Sequence, residues 1–470
     1  LDPARPLPQR LAAADQLARL GGARAAQALV QALASSTPPP SEALRRALVR
    51  ALSTPRVDLE TVRSEVERLL TPASGPLSSA RVAGDLLWAM TLHQSLGDLA
   101  DRAAATAVRG WASIRGGNVE LRVRVLRLAA AAVGKTSAPQ RRSALAALLL
   151  PMARQALAAT ADELVRTEGV SLALTFESPE GVALLRSAAH DPAPRVRGQA
   201  AWALGQQLDA AALHHLEERL RLEPWASVQR EAIEGLASRC DPPLRRELML
   251  QLVRQSSGGA PNGGRPPPSR RPLDGASREL ALSALTECGE RRVEPLLGAA
   301  LMDGGRPMVE RARAAELLGV LVQRVEYAEV SERSSSDAGP PAGAPQEPWA
   351  GQRGRIRSLL VDLLGRLVAS AAGTEAALLE AVARSVGRAR ATTGVEPLLA
   401  LLRRAPPAAV QRAAAEALTT LCDPGLARPP FDRAKAMSTL GTLARRAATE
   451  ELREALARAE ERCAEEEPAR

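Results

Sequence analysis

The sequence predicts an all-α fold, an α-solenoid of stacked antiparallel helix pairs, on three observations. Of 470 residues only two are Phe and one is Tyr, so strand-favouring aromatics are scarce, while the strong helix formers Ala, Leu and Arg dominate. The stretch "HDPAPRVRGQAAWALGQ" at 190–206 recurs in part about 32 residues on. There Val228, Ala232 and Leu236 stand where Val196, Ala200 and Leu204 stood, an interval that keeps all three on one helix face. Finally, Asp191-Pro192, Glu223-Pro224, Arg306-Pro307 and Pro406-Pro407 each precede an amphipathic run, and proline sits without cost only where a helix starts.

Taken in order, residues 1–160 read as degenerate repeats. "ADQLARLGGARAAQALVQAL" from Ala14 is a helix end, a Gly-Gly turn and a second helix. Amphipathic segments follow at Ser41 to Ser53, Ser78 to Leu96, Gly97 to Ser113 and Val119 to Val133. Residues 161–255 are regular repeats, and 276–330 and 354–455 continue them. The first helix of each pair aligns on Val196, Val228, Val309 and Val410, the third copy carrying one extra residue. Alanines at 200, 232, 314 and 414 let helices approach, and leucines at 204, 236, 318 and 418 fill the space between layers. The second helices share a valine and a leucine pair, as in "GVALLRSAAHD" from Gly181, "RVEPLLGAALMD" from Arg292 and "GVEPLLALLRRAP" from Gly394. In the latter two Pro295 and Pro397 fall within the first turn, with Glu294 and Glu396 beside the positive end of the helix dipole. Neither helix of a pair buries its stripe alone, so stacking closes the core, with about ten pairs in all.

Two stretches depart from the period. Residues 256–275 and 331–353 are rich in Pro, Gly and Ser and read as flexible insertions. They account for most of the excess length between Cys240 and Cys422 over four units of about 32 residues. The acid-rich end, 456–470, reads as a solvated helix and tail.

Composition bounds the function classes. Hydrophobic residues make up 46% and charged residues 24%, which is enough apolar material to fold and excludes a disordered chain. The net charge of +9 suggests an acidic partner. Lys occurs only at 135 and 435, however, so almost all positive charge is Arg, and abundant Arg with Ala is also what a GC-rich genome yields without a ligand. The four cysteines, at 240, 288, 422 and 463, contain no CxxC and do not form a metal site by spacing. Cys240 and Cys422 each follow a core leucine by four residues and precede Asp-Pro, which reads as a small buried residue ending a helix. No apolar run is long enough to span a bilayer. The chain starts at Leu1 rather than Met, as a fragment or processed product would, and the cytoplasm is the favoured compartment because no leader or span is visible.

Asp191, Pro192, Val196, Arg197, Ala200, Ala201, Ala203, Leu204 and Gly205 match D-P-x-x-x-V-R-x-x-A-A-x-A-L-G position by position. The chain thus resembles HEAT repeats, specifically the bacterial phycobilisome-lyase type, well over 163–422 and weakly before. The resemblance implies a right-handed superhelix with one set of helices lining a concave face, and no single activity. It also implies that Asp191 caps a helix and that Arg197 bridges to a neighbouring unit. Gln229 replaces that arginine in the next unit, interrupting a ladder.

Three function classes follow. A HEAT-like di-iron hydroxylase needs several His-Glu pairs, but none of His93, His190, His214 and His215 is followed by Glu, and bilin attachment has less support still. His214 and His215 with Glu217 and Glu218 read as a solvated helix face. A nucleic-acid reader needs a basic face with clustered aromatics, whereas Trp88, Trp111, Trp202, Trp225 and Trp349 are scattered through different units. "RPPPSRRP" from Arg265 reads as linker. A non-catalytic scaffold presenting an extended surface to a protein partner needs no special motif. The sequence shows no phosphate loop, nucleophile elbow or paired metal ligands, and it implies no cofactor, metal or small-molecule ligand. Nucleic-acid binding through an Arg-rich face is the alternative. Arg197, Trp202, Trp225 and Arg230, in the most regular units, are the candidate binding residues.

Overall fold

The structure is a computed structural model describing all residues except 3, 36–39, 71–76, 115–117, 241–242, 258–272, 336–347, 371–374, 405, 424–425, 427–431 and 465–470. Among the described residues there are 23 α-helices and no strand. They fall into two compact units that divide after Ser238.

The first unit holds α1 (Leu7–Leu20), α2 (Gly22–Ala34), α3 (Glu42–Leu52), α4 (Leu59–Leu70), α5 (Leu77–Leu92), α6 (Ala100–Ser113), α7 (Val119–Gly134), α8 (Pro139–Ala156), α9 (Glu163–Leu174), α10 (Pro179–Ala188), α11 (Pro194–Gln206), α12 (Ala210–Leu222) and α13 (Ala226–Ala237). Odd-numbered helices pack on one another in series from α1 to α13, and even-numbered ones form a second layer behind them. Short polar side chains start these helices. Ser41, Asn118, Asp162, Ser178 and Asp209 each accept a backbone N–H of the first turn, which satisfies a donor that has no partner within the helix. The expected Gly-Gly turn joins α1 to α2, with Gly21 at φ +71° and Gly22 at φ +74°. A side chain on Gly21 would come within 2.4 Å of the Arg56 carbonyl oxygen. Between the layers, buried Leu29, Leu48, Leu86 and Leu126 continue one apolar core.

The second unit holds α14 (Pro243–Ser257), α15 (Gly275–Glu287), α16 (Glu294–Met302), α17 (Met308–Ser335), α18 (Pro348–Ala369), α19 (Ala376–Arg388), α20 (Val395–Arg403), α21 (Ala408–Leu421), α22 (Arg433–Arg446) and α23 (Glu450–Ala464). Here α15, α17, α19, α21 and α23 pack in series, as do α16, α18, α20 and α22. Helix α17 runs on to Ser335 and α18 begins at Pro348, so both enter the stretch that composition reads as an insertion. The rest of it, 336–347, and most of the earlier insertion, including "RPPPSRRP", lie outside the described residues.

Three expectations are corrected. Val309 is 76% exposed, whereas Val196, Val228 and Val410 are buried. Ala314 and Leu318 keep the register, so the extra residue swings Val309 about 100° off the packed face. The acid-rich end is not wholly solvated, since α23 buries Leu452, Ala455, Leu456, Ala459 and Cys463 along one stripe. The cysteines are not isolated helix-end residues either. Cys240 bonds to Cys288 and Cys422 to Cys463, with Cα atoms 5.2 and 4.9 Å apart, and Cys240 is exposed rather than buried. The turn bearing each first cysteine is followed by one helix pair, which returns the chain to the same edge of the stack.

Candidate functional site

The residues singled out in sequence lie on and around α11 and α13. Arg197 donates Nε and one terminal nitrogen to the Glu223 carboxylate, both at 3.0 Å. Its other terminal nitrogen donates to the carbonyls of Asp191 and Pro192 at 2.9 and 3.0 Å. The arginine side chain is 11% exposed and the glutamate 3%, so this guanidinium is spent on the fold. One pair earlier, Arg166 of α9 makes the same two-pronged contact with Asp191 at 2.7 and 3.1 Å, a role that the repeat alignment did not reveal. Asp191 also accepts the Ala193 N–H at 2.8 Å. One pair later the arginine is replaced by Gln229, which donates to the backbone carbonyl of Glu223 at 3.2 Å. The Trp225 backbone N–H donates to Glu223 at 3.2 Å, while its side chain is largely exposed. Glu223 therefore brings Arg197 and Trp225 together in a structural joint. Trp202 is half-buried on α11 and Arg230 is exposed on α13.

A wider concavity of about 940 Å³ runs across α3, α5 and α7 in the first unit. Helix α3 buries Leu44, Leu48 and Leu52, and this places Arg45, Arg46 and Arg50 along the helix flank. Arg45 donates to Asp85 of α5 at 3.0 and 2.6 Å, and to Glu42 at 3.1 Å. Arg46 donates to Glu42 at 3.0 Å, and Arg81 lies 3.6 Å from the same carboxylate. One carboxylate thus faces three guanidinium groups. The hydrogen bond from Arg46, with the fields of Arg45 and Arg81, holds the Glu42 carboxyl below its ordinary range.

Trp88 lines the middle of the groove. The guanidinium carbons of Arg124 and Arg127 sit 5.6 and 5.8 Å from its ring centre, within cation–π range. Arg127 also donates to Glu168 of α9 at 2.9 Å, and Arg124 lies 3.3 Å from Glu120. Arg50 is exposed and has no carboxylate partner among the described residues. Leu92, 45% exposed, adds an apolar wall. Sequence reasoning missed this groove, because its arginines are spread over three helices and only the stacking gathers them. In the second unit a smaller concavity of about 610 Å³ crosses α17, α19 and α21 beside the exposed Tyr327.

Among the described residues, no three His, Cys, Asp or Glu side chains converge as metal ligands would. His214, mostly exposed, lies 3.8 Å from Glu217 and 3.4 Å from Glu218 one turn on, but the expected solvated face is only partial, since Glu217 is 14% exposed and His215 turns toward the ring of His190.

The family described as HEAT repeats matches residues 150–237, the span that contains the arginine–carboxylate ladder. Those residues are HEAT repeats. The fold of the whole chain is similar to that of importin beta, at 14% identity and a TM-score of 0.54, covering 97% of this chain and 65% of that one. It is also similar to Kap121p bound to Pho4p, at 14% identity and a TM-score of 0.50, covering 91% of this chain and 48% of Kap121p. The chain therefore spans about half the length of Kap121p and under two thirds of importin beta. At this identity the likeness is one of fold: stacked helix pairs, as in HEAT solenoids. No curated protein matches the sequence.

Proposed function

We propose that this chain is a non-catalytic HEAT-repeat scaffold that holds protein partners along the exposed face of its odd-numbered helices. The observation that carries this reading is the groove across α3, α5 and α7, open to solvent and lined by both exposed arginines and apolar side chains. Binding through many modest contacts requires no reactive group. Kap121p, of the same fold, is seen bound to Pho4p, which supports the use of such a surface for a partner. Arg197 serves that function by keeping α11 in place, and Trp202, Trp225 and Arg230 remain candidates for a second contact patch.

Nucleic-acid binding is the less favoured reading, because many of the arginines are occupied. Arg45, Arg127, Arg141, Arg166 and Arg197 each reach a carboxylate on another element, so these five already serve the fold.

No helix among the described residues is long and apolar enough to cross a membrane. The two disulfides favour an oxidising compartment over the cytoplasm, where thiols are kept reduced. Selection of a random-sequence peptide display library on the full chain tests the scaffold reading. We expect enrichment of a defined sequence pattern that competes for one surface. Failure to enrich any sequence, alongside tight binding of single-stranded or duplex DNA at moderate salt, overturns it.

A further inference from the structure

We infer that the groove across α3, α5 and α7 receives a short extended peptide segment, rich in carboxylates and carrying an aliphatic or aromatic side chain; this rests on the scaffold reading. Charge gives the sign of the partner. Six arginines and three carboxylates line the groove. Counting Glu168, which engages Arg127 from α9, two positive charges are still unmatched. That excess sits where solvent reaches it. Arg46 and Arg81 are 77% and 65% exposed and share the single carboxylate of Glu42, while Arg50 has none among the described residues. Arg45, by contrast, is 15% exposed and locked to Asp85, so it shapes the groove rather than receiving a ligand. A guanidinium fork pairs with a carboxylate through two parallel hydrogen bonds, so three exposed arginines on neighbouring helices suit acidic side chains in series.

The floor gives the second half of the recognition. Trp88 is half-buried between helices and held by Arg124 and Arg127, and with exposed Leu92 it offers an apolar seat among the arginines. Helices pack about 8–10 Å apart, so three of them span roughly 20 Å, the reach of about six extended residues. A nucleic acid fits less well. Two unmatched charges neutralise only about two phosphates, and a lone tryptophan gives no run of stacked bases.

The experiment measures fluorescence anisotropy of labelled peptides on the full chain. The probes are Asp-Glu-Leu-Asp-Glu-Leu, its counterpart with Lys at the acidic positions, and an oligothymidylate of the same length. The acidic peptide should bind saturably and release as salt rises, and the basic one should not. The combined substitution Arg46→Ala, Arg50→Ala, Arg81→Ala should weaken it about tenfold or more, with circular dichroism unchanged because all three side chains are exposed. If that variant loses helix, Arg50→Glu alone provides the same test. Binding that survives both variants, no binding of the acidic peptide, or tighter binding of the oligothymidylate overturns the inference. The scaffold reading fails separately. A display selection that enriches non-acidic sequences, insensitive to the triple substitution, removes this groove assignment and leaves the scaffold standing.

Discussion

Arginine is the fastener of this chain, and histidine its weak point in acid. Arg166 and Arg197 each reach one helix pair onward to a buried carboxylate, a structural role that needs no ligand. Three histidines, all in the first unit, are held neutral. His93 accepts the Ser95 N–H on Nδ1 at 3.2 Å and donates from Nε2 to the Val57 carbonyl at 3.1 Å, and burial pushes its pKa down. The rings of His190 and His215 lie 5.4 Å apart. Burial lowers both, and Arg219 beside the first, with His190 and Arg186 beside the second, adds to it. A histidine whose folded pKa lies below its unfolded value near 6.5 favours the native state fully above that value. The contribution is lost as pH falls toward the folded pKa. Melting temperature should therefore drop between about pH 7.5 and 5.5, and His215→Gln should flatten the fall. A flat wild-type profile across that range would refute this.

At the scale of elements, α11 and α13 make the tightest joint in the first unit. A Cβ on Gly235 would lie 2.2 Å from the Trp202 carbonyl oxygen, and one on Gly205 2.8 Å from the Leu236 nitrogen. Both obstacles are backbone, which cannot swing aside as a side chain can. Gly235→Ala should accordingly destabilise the pair by about 1–3 kcal/mol, despite the better helix propensity of alanine. Hydrogen exchange across α11 and α13 measures it; unchanged protection would show that the helices separate freely. Gly205 was legible as part of the repeat, but Gly235 was not, because its need depends on which residue of the neighbour it faces. The same distinction explains Val309. Its chemistry matched the repeat, and only the register of Ala314 and Leu318 showed that it points outward.

For the whole molecule, the two disulfides each enclose one helix pair of the second unit: α14 with α15, and α22 with α23. Cross-links closing loops of 48 and 41 residues stabilise by restricting the unfolded chain, on the order of 2–4 kcal/mol each. A reductant should lower the thermal transition of the second unit and speed hydrogen exchange in α22 and α23. Alkylation without prior reduction, followed by intact mass measurement, should leave all four cysteines unlabelled. Four added labels would show that the pairs do not form.

Helix content, the pairing of helices and the identity of most core positions follow from the sequence alone, because apolar period and proline placement act within one or two turns. The replacement of the repeat's arginine by Gln229 was equally local and equally legible. Which cysteines meet, which of many arginines remain open to a partner, and where Trp88 finds its cationic neighbours depend on groups some 35 to 80 residues apart being carried to one place. Only the stacking of helix on helix sets those distances, and so only the tertiary structure could turn an arginine-rich composition into one groove with an excess of positive charge.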